Sequence, residues 1–452
     1  MSSTRVTRDF VIERFYRLAY TRDVLRVLVI VALASCGKSG APPSPDVDAA
    51  PPVARVHVLP TTVFGDRQPG QAVVFIDPDG TIDADTTIDA NGFAEAQVSP
   101  GASVSVVWTR ADISHSYTNV ATILGVQPGD EIAFGTDITP TQPTLDVALT
   151  ALAGAASYDI VTPCNVPYAG MPGVTTLDTH TCQLPPVYDL YAIARDSNGE
   201  MIATTRVSGI AAGTASVALP STWSPFVSSP VSFTNVPADV DQIAMFHSCE
   251  PLGATTSIDL LMAPWSGSLS IPQVCSPNAV LGITVLQDTK PTGDFSGQTI
   301  TRITPDGQLA TPIDVGARLL PWMSISLLDA TRTILTPQLD TTDANLTPEL
   351  FIHRLVFHTT DASVSWLLFG PTADPVTLPT LPAHAIPITP QMAGNVSDTG
   401  GFMFASSKPQ SWDALRPGIV QLFEALYTTG FHDDAAGDVD VWQHLDLESV
   451  PI

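Results

Sequence analysis

The chain has 452 residues, 44% of them hydrophobic and only 14% charged, well below the roughly 25% of ordinary soluble proteins. With 40 prolines, long helices are disfavoured, and the length suggests three or four domains rather than one. Acidic residues outnumber basic ones 45 to 19, and a field of that sign repels phosphates, which excludes nucleic acid as a partner.

Arg5, Arg8, Arg14, Arg17, Arg22 and Arg26 precede an eight-residue apolar run, Val27 to Ala34, which is far too short to span a bilayer. A basic start, a short apolar middle and small residues at a cut describe a secretory signal. The last four residues, Leu33-Ala34-Ser35-Cys36, resemble the lipobox of bacterial lipoproteins. That resemblance implies cleavage before Cys36 and acylation of its thiol and new amine. The resulting acyl chains would suffice for stable anchoring. Gly37 after the cysteine, rather than Asp, implies the outer membrane, periplasmic or surface-exposed. The stretch before the run is longer than the pattern requires, with extra apolar and acidic residues from Phe10 to Tyr20. Removing residues 1–35 takes six basic and three acidic residues, leaving 13 against 42, a net of −29. Residues 36–54, rich in Pro, Ala and Ser, read as a semi-extended spacer.

From Arg55 the sequence is a succession of short strand patterns separated by turn clusters, and the fold class expected is mainly β. Ala72-Val73-Val74-Phe75-Ile76 is a compact apolar run ending in Asp77-Pro78-Asp79-Gly80, and Phe93 to Val98 alternates with a polar face. Pro69 to Phe75, followed by Thr87-Ile88-Asp89-Ala90-Asn91-Gly92-Phe93-Ala94, resemble the immunoglobulin-like or prealbumin-like modules of bacterial surface proteins. There Asn91-Gly92 supplies the left-handed residue of a turn. The resemblance implies a β-sandwich over 55–140 and transfers no site.

A weak repeat follows. Ser157 to Cys164 and Gln242 to Cys249 are strand patterns ending in cysteine. Each is followed by another apolar strand, Tyr188 to Ala194 and Val280 to Leu286. This predicts two related β-modules, 141–222 and 223–310. Apart from Cys36 the cysteines are Cys164, Cys182, Cys249 and Cys275; an oxidising compartment makes disulfides the default, three pairings are open, and the local one, Cys164–Cys182 with Cys249–Cys275, is favoured because each couple brackets a loop rich in Pro, Gly, Ser and Thr. Residues 311–452 are expected to be β-rich with a helix near 411–429. Ser411 would cap that helix, and Ile419, Leu422, Phe423 and Leu426 would share one face.

No nucleophile elbow, zinc motif or phosphate loop occurs. His353 and His358, five residues apart on a strand, face opposite sides and make poor co-ligands. Asp77 to Asp85 fails as a calcium loop because Ile82 and Ile88 stand where Gly and Glu are needed. A denser C-terminal cluster offers Asp433, Asp434, Asp438 and Asp440, with His432 and His444, as metal candidates. The reading is a non-enzymatic, lipid-anchored envelope protein without a cofactor, presenting β-sandwich modules to an envelope protein or a glycan. The alternatives are an envelope hydrolase or metal-binding enzyme with its site in the C-terminal region, and a carbohydrate-binding lipoprotein using Trp108, Trp223 or Trp265 as platforms.

Overall fold

The computed structural model describes residues 52–446 except 63, 112–114, 136–143, 163–167, 179–186, 212, 250–254, 273–277, 288–294, 306–311, 372–373, 399–400, 406–410 and 424–438. The protein is mainly β; among the described residues the helical elements are a short segment at residues 412–423 and a 3₁₀ turn at Gly316–Arg318. No helix among the described residues is long and apolar enough to cross a membrane.

One seven-strand pattern occurs three times. In residues 54–134, strand Ala54–Val58 pairs antiparallel with Phe93–Ala96 and parallel with Glu131–Phe134. The facing sheet runs Ile82–Thr87, Ala72–Ile76, Ala102–Ala111, Ser116–Val126. In residues 144–218, Thr144–Leu149 likewise pairs antiparallel with Gly173–Asp178 and parallel with Ser216–Ala218. Opposite it lie Tyr168–Gly170, Ser157–Val161, Val187–Arg195 and Met201–Ala211. In residues 224–314, Ser224–Thr234 pairs antiparallel with Ser266–Pro272 and parallel with Ile313–Asp314. Its second sheet is Thr255–Leu261, Gln242–Cys249, Asn278–Gln287, Phe295–Pro305. Setting aside the two-residue strands at Thr61–Thr62 and Gly65–Asp66, each unit therefore orders its strands 4-1-7 over 3-2-5-6. An immunoglobulin domain instead places its first strand in one sheet with its second.

Period-two alternation makes the sandwiches. Val56 and Val58 from the small sheet of the first unit meet Val73, Phe75, Val104, Val106 and Trp108 from the large one, all buried. Gly92 stands in the turn before Phe93 at φ +92°, and a Cβ there would lie 2.3 Å from the Val58 carbonyl oxygen. The turn that the sequence places at Asn91-Gly92 therefore admits glycine alone. The Asp89 carboxylate accepts the amides of Asn91 and Phe93 and closes it.

The last quarter of the chain joins the first and third units. Ala362–Gly370 pairs parallel with Ser116–Val126, the sixth strand of the first unit, and antiparallel with Leu350–His358. Gly401–Ala405 continues the sheet to Val439–Asp446, which pairs with Phe295–Pro305, the sixth strand of the third unit. One continuous 13-stranded sheet results among the described residues. Its ladders cross the sequence positions 140 and 310.

Both faces of this sheet are covered. On one, Leu415, Ile419, Val420, Leu422 and Phe423 of the helical segment pack on Leu350, Ile352, Phe369, Phe402 and Phe404. Ile419, Leu422 and Phe423 thus take the buried face expected of them, while Leu426 lies outside the described residues. Ser411 stands at the N-cap without a side-chain bond; its carbonyl accepts the amides of Ala414 and Leu415 instead. On the other face, residues 376–396 lay Leu378, Leu381, Ile386 and Ile388 over Val74, Val120, Leu355, Phe357 and Trp366. A buried polar chain runs beneath them, from the Trp366 Nε1–H to Thr122 Oγ1 at 2.8 Å and on to Ser105 Oγ at 2.7 Å. The fully buried Gln298 amide pairs with both the N–H and the carbonyl of Leu320, standing in for a strand neighbour.

Candidate binding face between the first and last units

Where Ser116–Val126 meets Ala362–Gly370, the register places a transverse row of polar side chains. Arg110 pairs with Tyr117, Tyr117 with Ser363, and Ser363 with His358. All four belong to the face that carries the core of the first unit, because Trp108, Ala121, Leu367 and Ile352, in step with them along their strands, are in that core. Two residues along, the next row is Trp108, Asn119, Ser365 and Val356, and Asn119 donates to the Phe64 carbonyl at 2.7 Å. The face thus passes from apolar to polar toward one end of the strands. At the spacing of neighbouring strands, the row spans about 14 Å.

Tyr117 is 50% exposed, Arg110 is exposed, and Ser363 and His358 are half-buried. His115, just before the strand, sets its ring 4.6 Å from that of Tyr117 at 53°. A 2.8 Å hydrogen bond joins its Nε2 to Ser363 Oγ. The Ser116 amide, bonded to the Asp361 carbonyl, fixes the strand entry beside it. Most arginines elsewhere are committed. Arg55 bridges Glu95 and Glu131, Arg195 holds Asp159, Arg206 holds Asp189, and Arg416 holds Asp130 and Asp413. Among the described residues, Arg110 has no such partner. A half-exposed phenol ring, a free guanidinium, two imidazoles and a hydroxyl can stack on a ligand and hydrogen-bond it. A serine bonded to an imidazole is also part of a nucleophile–base pair, yet Ser363 sits within a strand that is paired on both sides rather than on an exposed turn.

The residues singled out from the sequence fare differently. His353 and His358 do face opposite sides: His353 is fully buried against Phe351, at 4.5 Å between rings, and burial pushes its pKa down to about 4. Trp108 is no platform, being 3% exposed and packed between Phe64 and Phe134 at 4.9 and 6.0 Å. The apolar alternation of its strand turns it inward. Trp223 and Trp265 are half-buried against their own cores. Asp77 to Gly80 is a hairpin turn in which Asp79 accepts the Thr81 amide. Burial, with Asp77 alongside, raises the pKa of Asp83 there. No group of three or more His, Cys, Asp or Glu able to hold a metal occurs among the described residues.

Residues 1–51, with the lipobox and Cys36, lie outside the described residues, as do Cys164, Cys182, Cys275, Asp433, Asp434 and Asp438. Cys249 and Asp440 are described in backbone only. The row at Tyr117 and Ser363 was missed because its members stand some 250 positions apart in the chain.

No protein-family model matches the chain, and no curated protein does. Among solved structures it is similar to a tetra-tandem repeat in the extending region of a large adhesion protein. The match is 14% identical, covers 79% of this chain and 96% of that one, and has a TM-score of 0.11. A superposition that loose says nothing of fold or function.

Proposed function

We propose that the chain is a non-enzymatic lipoprotein of the cell envelope, tethered through Cys36 to the outer membrane, which holds its β-scaffold toward an envelope protein or glycan. The observation that carries the reading is the continuity from lipobox to fold. Leu33-Ala34-Ser35-Cys36 leads through a Pro/Ala/Ser spacer directly into the first strand, Ala54–Val58. Such a spacer is semi-extended and puts distance between a membrane and a folded body.

The four remaining cysteines pair, in this reading, as Cys164–Cys182 and Cys249–Cys275. In both units the first cysteine lies at or just past the end of the second strand, and the other precedes the start of the fifth. The second and fifth strands are antiparallel neighbours, with Val161 opposite Tyr191 and Cys249 opposite Ala279.

Metabolic labelling with an alkynyl fatty acid, in cells of a two-membrane bacterium expressing the full chain, tests the tether. Label on the native chain and none on Cys36→Ala is expected. An unlabelled native chain, or one labelled equally after the substitution, would overturn it.

A further inference from the structure

We infer that the row Arg110, Tyr117, Ser363 and His358 binds an oligosaccharide bearing carboxylates, that is, an acidic glycan containing uronic acid residues. The inference rests on the reading of the chain as a binding protein and names the ligand class of its face.

The chemistry of the row selects the class. Arg110 is an exposed guanidinium without an ion pair among the described residues, in a chain whose net charge is −26. A planar fork of donors matches a carboxylate, and the acidic field that repels the dense phosphate run of a nucleic acid opposes the few charges of a short oligosaccharide far less. Beside it, the half-exposed Tyr117 ring offers an apolar face with a polar tip, the combination that suits a surface apolar at one end and wet at the other. A sugar ring meets both requirements. Beyond Tyr117, the Ser363 hydroxyl with His115, and then the His358 imidazole, supply hydrogen-bonding groups one strand spacing apart. A row of about 14 Å accommodates a short chain of sugars lying across the strands.

The topology argues against a peptide here. Ser116–Val126 is paired on both sides, by Ala102–Ala111 and by Ala362–Gly370, and the latter is paired on its far side by Leu350–His358. Under Tyr117 and Ser363, at the centre of the row, no strand edge is open for a peptide backbone to join, so recognition there falls to side chains. The location fits as well, since the row exists only where the last unit closes on the first, and ligand sites favour such junctions.

The test is calorimetric titration of the full chain, purified in detergent, with a polygalacturonate oligomer and with a neutral glucan oligomer of equal length. The native chain should bind the acidic oligomer and not the neutral one. Arg110→Gln should weaken that binding by about tenfold or more, the worth of a charge-assisted hydrogen bond. Tyr117→Ala should weaken it as well, and Arg55→Gln, an exposed arginine on the opposite sheet, should leave it unchanged. Equal affinity for both oligomers, no binding of the acidic one, or no effect of Arg110→Gln would overturn the inference. If it fails while Cys36 still carries the fatty-acid label and the chain captures an envelope protein at near-equal amounts, the proposed function stands with a different ligand. Loss of label and capture together would remove that reading too.

Discussion

Arg416 and Asp130, 286 positions apart, form a two-pronged ion pair, with Nε to Oδ2 at 2.7 Å and Nη2 to Oδ1 at 3.1 Å. The arginine side chain is 3% exposed and that of the aspartate 13%. The pair pins the C-terminal helical segment to the turn before the last strand of the first unit, and the Trp412 indole adds a bond to the Leu124 carbonyl at 3.0 Å. Asp413 takes the remaining prong of Arg416 at 2.6 Å but is mostly exposed.

Asp130→Ala should therefore cost about 3 kcal/mol or more, because it leaves a buried guanidinium with one exposed partner. Urea denaturation measures it. The double variant Asp130→Ala with Arg416→Met should recover part of the loss, since a buried pair is worth less than the penalty of breaking it. Additive losses would show that the two residues act separately.

His353 sets a pH dependence. Its pKa falls from the usual 6.5 to about 4 in the folded state through burial, so the unfolded chain binds the proton more readily between those values. Stability is then undiminished above pH 6.5 and falls progressively toward pH 4, by about 3 kcal/mol in all. His353→Leu should flatten that slope while leaving stability at pH 8 close to native. A slope unchanged by the substitution would assign it to carboxylates instead.

Thr122→Val removes the acceptor of the Trp366 indole N–H in the sheet interior, where both side chains are buried. The expected loss is about 1–3 kcal/mol in thermal or urea unfolding. A neutral substitution would mean that the Ser105–Thr122–Trp366 chain is not needed for packing.

Peptide mapping without reduction should recover Cys164 linked to Cys182 and Cys249 to Cys275. Any link between the two units would contradict the repeat as well as the pairing. Ser363 should be inert to a fluorophosphonate probe at neutral pH. Stoichiometric labelling would turn the row at Tyr117 into a reactive site and the protein into a hydrolase.

How much of this is written in the sequence depends on range. Local signals were legible: the Asp89 to Gly92 turn, the apolar strand at Ala72–Ile76, and the helical face of Ile419, Leu422 and Phe423 each rest on neighbours within a few residues. Alternation also separated His353 from His358, though which of them is buried depends on the cover supplied by distant strands. The row of Arg110, Tyr117, Ser363 and His358 was not legible, because register between strands is set by tertiary packing rather than by spacing. Trp108, a platform only under the carbohydrate-binding alternative, is core instead, because Phe64 and Phe134 close over it. Arg416 next to Pro417 gave no hint of Asp130, since a buried ion pair leaves no periodic trace.

The parallel ladder between Ser116–Val126 and Ala362–Gly370 also dictates an order of assembly. A chain delivered from its N-terminus can complete the seven strands of the first unit early, but the sixth strand then waits with one edge bare until residue 370 arrives. The bond from Trp366 to Thr122 spans 244 positions, a closure that no local segment can anticipate. The bare edge is a template for wrong pairing in the interval. Truncations that stop short of residue 370 should for that reason aggregate rather than yield a stable N-terminal fragment, and the nascent chain has reason to need escort until its last quarter has been made.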